Sequence, residues 1–161
     1  MFEVRRANDN DFGALASIHL ASLVQAMPFM PRIHTVEEDR KYFANVLASQ
    51  ECWVSEIEKI VLGFIAFRDS WVNHLYVLPD YQGIGVGSKL LEIAKEASPP
   101  LLQLWTFQAN NRARAFYKEH GFVEIELTDG AGNEERTPDV RLVWNSLVCD
   151  PTLPTDRVNS S

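Results

Sequence analysis

Seven consecutive residues, Gln82-Gly83-Ile84-Gly85-Val86-Gly87-Ser88, have the types and spacing to bind an anion. Three glycines at every second position allow torsions closed to other residues and remove side chains that would hold a ligand at a distance. Behind them Leu90, Leu91, Ile93 and Ala94 mark a helix. The N–H groups of its first turn face the same place, and the helix dipole favours negative charge there. A diphosphate suits such a site; a tight turn that only packs helix on sheet is the plainer alternative. A P-loop would need GxxxxGK[ST], and Lys89 follows Ser88 out of that frame. A dinucleotide fingerprint would need GxGxxG in a first βα unit, whereas this GxGxG lies mid-chain.

The elements that must position this turn follow from periodicity. Phe2–Arg5 alternates as a half-buried strand, and Asn8 or Asp9 can cap a helix carrying Phe12, Leu15, Ala16, His19, Leu20 and Leu23, which ends near Pro28 and Pro31. Thr35-Val36-Glu37-Glu38 has the form of a capping box for a second helix over about 36–48. The runs 52–57 and 60–67 are rich in β-branched and aromatic residues, and Glu58-Lys59 between them predicts a tight hairpin. A strand over 71–77 ends at Pro79, and the helix after the glycines closes at Ser98-Pro99-Pro100. The apolar run 101–107 predicts a strand buried on both faces. A short helix over 111–120, a strand over 122–127, a polar loop over 128–138 and a strand over 140–147 follow, with a frayed, flexible tail over 150–161. The order β-α-α-β-β-β-α-β-α-β-β implies one mixed sheet with helices on both faces.

With 161 residues, 46% of them hydrophobic, the chain is expected to form a single domain over 1–149. A formal charge of −7 without a Lys/Arg cluster argues against nucleic acid as a partner. Cys52 and Cys149 show no metal or disulfide spacing, so no metal site is expected. The N-terminus lacks an apolar signal region, and no run approaches the ~18 apolar residues that span a bilayer, so a cytoplasmic protein without membrane contact is expected.

Two stretches resemble the GNAT superfamily of acyl-CoA-dependent N-acetyltransferases. Leu75-Tyr76-Val77-Leu78-Pro79-Asp80-Tyr81 leading into Gln82, Gly85 and Gly87 is similar to its strand-to-helix signature, and Asn110-Asn111-Arg112-Ala113-Arg114-Ala115-Phe116-Tyr117-Lys118-Glu119-His120-Gly121-Phe122 to its NxxAxxFYxxxGF stretch. The resemblance implies an α+β fold, an α/β/α sandwich with a mixed, mostly antiparallel sheet of about seven strands and about four helices. It implies acetyl-CoA as cosubstrate, with the amides of Gln82, Gly83, Ile84, Gly85, Val86, Gly87 and Ser88 on the diphosphate. The backbone of Leu75, Tyr76 and Val77 would lie along the pantetheine arm. Asn110 matches a cofactor-contacting asparagine and Tyr117 the general acid; homodimers are frequent among similar proteins.

Acetyl transfer to an amine needs a neutral nucleophile, a stabilised oxyanion and a proton for the departing thiolate. Tyr117 can supply that proton, because a phenol ordinarily titrates near pH ~10. The 71–77 strand lacks the glutamate that some members place there, which leaves His74 as the nearest candidate base, with a strand histidine bonded to a neighbour as the alternative. Glu37, Glu38, Glu134 and Glu135 are further candidates for relayed proton removal, and each also suits a solvated or capping role. The acceptor pocket is expected between the first two helices, with the Met27–His34 connection and the 128–138 loop. The expected activity is acetyl transfer to a primary amine of a small molecule or protein. Acyl-CoA sensing without turnover and transfer of a longer acyl chain are the alternatives.

Overall fold

The computed structural model describes residues 1–97 and 100–146. The expected helix stop at Ser98-Pro99, Leu147 of the last strand, Cys149 and the 150–161 tail lie outside them. The chain divides into two compact units, Met1–Ala94 and Lys95–Ser161. Among the described residues, seven strands and four α-helices make a mixed, mostly antiparallel sheet with helices, the α+β class expected.

In the first unit β1 (Glu3–Arg6), β2 (Glu51–Ile57), β3 (Ile60–Arg68) and β4 (Trp71–Val77) pair as an antiparallel meander. Glu58 and Lys59 adopt φ of 49° and 67°, the two left-handed residues that the tight β2–β3 turn requires. The helices α1 (Phe12–Ala26) and α2 (Val36–Ser49) pack on one face of this meander. Asn8 caps a short turn ahead of α1, its Oδ1 accepting the Asn10 N–H at 3.0 Å. The α2 capping box forms as read: Glu38 N–H donates to Thr35 Oγ1 at 3.1 Å and Thr35 N–H to Glu38 Oε1 at 2.9 Å. Leu15, Ile18, Phe43, Val46, Val54, Phe64 and Ala66 form the core between helices and sheet. The glycine-rich turn then leads into α3 (Val86–Ala97), whose Val86, Leu90, Leu91 and Ala94 are buried.

In the second unit β5 (Leu101–Phe107) pairs antiparallel with β7 (Asp139–Asn145), and β7 with β6 (Val123–Leu127). The expectation that β5 is buried on both faces is corrected. Leu102 and Leu104 are buried, but Trp105 is 41% exposed opposite Arg141, so the strand has one wet face. Between β5 and β6 runs α4 (Asn111–Glu119). The 128–138 loop is held by its own polar groups together with Asp139 of β7, with Asn133 Nδ2 donating to Thr137 O at 2.7 Å and to Asp139 Oδ2 at 3.1 Å. Thr128 Oγ1 also donates to Asp139.

Candidate functional site

Gly83 and Gly85 have φ of +82° and +96°, and a Cβ at either would meet nothing within 4 Å. Glycine is needed here for torsion, not for lack of room, and open space lies beside the backbone. The first α3 ladder bond is Lys89 N–H to Gly85 O at 3.0 Å, so the first-turn N–H groups of Val86 and Gly87 have no acceptor within the helix. Left-handed glycines feeding a helix N-terminus make a concave set of donors that fits a diphosphate. Gln82 differs from the expectation. Its N–H donates to Pro79 O at 3.4 Å, closing the short Pro79–Tyr81 turn, so the open donors begin at Gly83.

The Gln82 side chain does other work. Its Nε2 donates to Val77 O at 3.0 Å and to Gln25 Oε1 at 3.1 Å, while its Oε1 is buried without a partner. Ser22 Oγ donates to the same Val77 carbonyl at 3.1 Å. Two donors fill the lone pairs of that oxygen. Leu78 N–H bonds Leu62 O at 2.7 Å with Val77 opposite Gly63, so the Tyr76 N–H and C=O pair with Phe64 while Leu75 and Val77 turn theirs away from β3. Of the three residues expected to lie along a pantetheine arm, Tyr76 therefore has its main chain engaged and Val77 its carbonyl. Leu75 keeps both groups directed away from β3.

His74 is positioned by an irregularity in β4. Phe67 faces Val72 and Ala66 faces His74, so Asn73 is an extra residue on β4. The bulge reverses the alternation: Val72 shares a face with Phe67, whereas His74 and Tyr76 share one with Ala66 and Phe64, under α1 and α2. There the His74 ring lies 5.2 Å from Phe43, 5.6 Å from Tyr42 and 6.0 Å from His19 and Tyr76. Its Nε2 is 2.9 Å from Tyr42 Oη, and its Nδ1 is buried without a partner. Burial, and next the neighbouring His19, push the His74 pKa down to about 3, so its ring is neutral at ordinary pH. His19 lies 4.9 Å from Tyr76, and burial lowers its pKa as well.

Around the expected acceptor pocket, Met27 is buried, whereas Phe29 is 67% exposed. Glu38 is taken up by the α2 cap, Glu37 is exposed, and in the 128–138 loop Glu134 is exposed and Glu135 half-buried.

In the second unit Asn110 caps α4, its Oδ1 accepting the Ala113 N–H at 3.1 Å. At the other end Gly121, φ +89°, donates its N–H to Lys118 O at 3.2 Å, and Phe122 N–H bonds Tyr117 O at 3.0 Å. This paired closure brings the Tyr117 and Phe122 rings to 5.4 Å, edge to face. Tyr117 is buried, with Phe116 at 5.3 Å on another side. The FYxxxGF spacing thus has a structural reason before any catalytic one.

Sequence reasoning missed Ser22 and Tyr42. Ser22 continues the Leu15, Ile18 stripe of α1, and a polar residue on an apolar stripe was an available signal. Nothing local points from Tyr42 to a histidine 32 positions on.

An acetyltransferase (GNAT) domain family matches residues 48–124. An N-acetyltransferase of Archaeoglobus fulgidus is 29% identical over 150 residues, covering 82% of this chain and 99% of that one. Among solved structures, apo YjaB from Escherichia coli superposes with a TM-score of 0.74 at 23% identity, over 89% of this chain and 97% of that one. The PaiA N-acetyltransferase from Thermoplasma acidophilum, in complex with coenzyme A, gives 0.69 at 18% identity, over 90% and 99%.

Proposed function

Since this chain belongs to the GNAT superfamily, we propose that it moves the acetyl group of acetyl-CoA directly onto a primary amine of a small molecule or protein. The observation that carries the reading is the turn between β4 and α3, where two left-handed glycines and first-turn N–H groups leave donors open to an anion. Acetyl-CoA supplies an activated thioester. The residues of the chain bind it, orient it and manage two protons.

The amides from Gly83 to Ser88 are proposed to hold the diphosphate, and the outward main chain of Leu75 with the Val77 N–H to guide the pantetheine arm. Asn110 is proposed to contact the cofactor while capping α4. Tyr117 is the proposed general acid toward the CoA thiolate, because a phenol is protonated at neutral pH and transfers its proton late. His74 is proposed to take the proton of the acceptor amine.

The test pairs calorimetric titration with acetyl-CoA and a thiol-release screen over an amine library. Saturable binding with thiol release for at least one amine is expected. Absence of binding would remove the reading, and binding without release for any amine would leave the chain as an acyl-CoA sensor. That second reading is favoured by one observation: β4 carries no carboxylate and its histidine is a weak base.

A further inference from the structure

We propose that Tyr42 and His74 form one proton path, in which the buried Nδ1 of His74 accepts the acceptor amine's proton while Nε2 passes its own to Tyr42. This rests on the acetyl-transfer reading and adds to it a residue and a route. Three observations carry it. His74 Nε2 and Tyr42 Oη are 2.9 Å apart; Tyr42 is 50% exposed, so the hydroxyl end of the pair connects to water; and Nδ1 is buried with no partner.

The orphaned Nδ1 decides which nitrogen carries the proton. A buried N–H without an acceptor is rarer than a buried acceptor without a donor, so the favoured tautomer has Nε2–H donating to Tyr42 Oη and a bare lone pair on Nδ1. That lone pair is the basic site. His74 lies among Phe43, Phe64, Tyr76 and His19, where an imidazolium is costly, and burial holds its pKa far below that of an ordinary histidine. A base that must become cationic would fail there; one that gains a proton at one nitrogen as it loses one at the other stays neutral.

The step balances. The ammonium N–H bond breaks and an Nδ1–H bond forms; the Nε2–H bond breaks and its proton joins Tyr42 Oη; the former Tyr42 proton leaves to water. The amine is left neutral and nucleophilic, and the ring returns to its starting tautomer by exchange with water between turnovers. Nδ1 is covered in the structure, so the acceptor brings its amine, or one water, to that atom on binding; catalytic hydrogen bonds commonly tighten only in the complex. The titratable groups facing the ring are His19 from α1, Tyr42 from α2 and Tyr76 from β4, and Asp39 acts on His19.

The first test is independent of turnover. Imidazole 15N shifts of His74 in the full chain are expected to report neutral Nε2–H from pH about 8 to about 5, below the ordinary histidine value of about 6.5. An Nδ1–H tautomer, or a titration near that ordinary value, would overturn the path. The second test is kinetic, on a parent chain already shown to release thiol. Tyr42→Phe keeps the ring against Phe43 and is expected to lower kcat about tenfold or more, with the KM for acetyl-CoA unchanged. His74→Gln should lose a similar factor, and the double variant should be no worse than the weaker single one, because both remove one path. Full kcat in Tyr42→Phe, or losses that multiply, would sink the path while leaving acetyl transfer standing. A parent that binds acetyl-CoA but releases no thiol would instead sink the transfer reading and the path with it.

Discussion

The turn before α3 and the C-terminal end of α4 are both built on left-handed glycines, yet they treat their backbone donors in opposite ways. At Gly121 the N–H and that of Phe122 fold back onto Lys118 and Tyr117, and the Tyr117 and Phe122 rings close over the bend. At Gly83 and Gly85 the chain takes a similar torsion, a Cβ would meet only space, and the donors that follow stay outside the helical ladder. Glycine alone marks neither structure nor function. The destination of the N–H groups distinguishes a stop signal from an anion site.

The contrast is most exposed to challenge at Tyr117, which serves the closed end through its ring and carbonyl. Tyr117→Ala is expected to cost about 3–5 kcal/mol in denaturant unfolding, the usual cost of emptying a buried aromatic site. Tyr117→Phe keeps the packing and removes only the hydroxyl, so kcat should fall about tenfold or more while the acetyl-CoA affinity holds. A kcat equal to that of the parent would remove Tyr117 as the acid.

Valine at each glycine separates the two turns more finely. Gly85→Val and Gly121→Val should each lose about 1–2 kcal/mol of stability from the forbidden torsion. Only Gly85→Val should also raise the acetyl-CoA Kd, by about tenfold, since it alone disturbs open donors. Equal Kd values in the two variants would contradict the diphosphate assignment. Asn110→Ala should lose about 1 kcal/mol as a helix cap. An acetyl-CoA Kd unmoved by the same change would limit Asn110 to that structural role.

The smallest effect is electrostatic. Arg114 holds Glu124 through bonds of 2.7 and 2.8 Å, and this pairing lowers the Glu124 pKa. Its contribution is present above the unfolded value of about 4.3 and is lost as pH falls through the lower folded value. Thermal melts should therefore show an acid-side loss of under about 1 kcal/mol that Glu124→Gln abolishes. An unchanged acid limb in that variant would assign the loss elsewhere.

Much of this was legible in local sequence. The Thr35/Glu38 box, the Glu58-Lys59 turn and the extent of β4 all emerged as expected, because each is decided by residues within a few positions of one another. The glycine spacing likewise located the open donors, apart from Gln82, whose N–H a three-residue turn claims. Burial of β5 was misjudged because apolar composition does not reveal which face a neighbouring strand leaves wet; Trp105 is exposed despite its type.

Torsions, caps and helix starts, including the donors at Gly83, Gly85 and the first turn of α3, are therefore written into the chain, since they depend on short-range sterics and hydrogen bonding. The character of His74 is instead a product of tertiary structure. The β4 bulge at Asn73 turns it beneath α1 and α2, desolvation there keeps it neutral, and Tyr42 meets its Nε2 from another element. Ser22, 55 residues away in sequence, likewise caps the Val77 carbonyl. Register and desolvation depend on contacts between distant residues, and no local pattern encodes them.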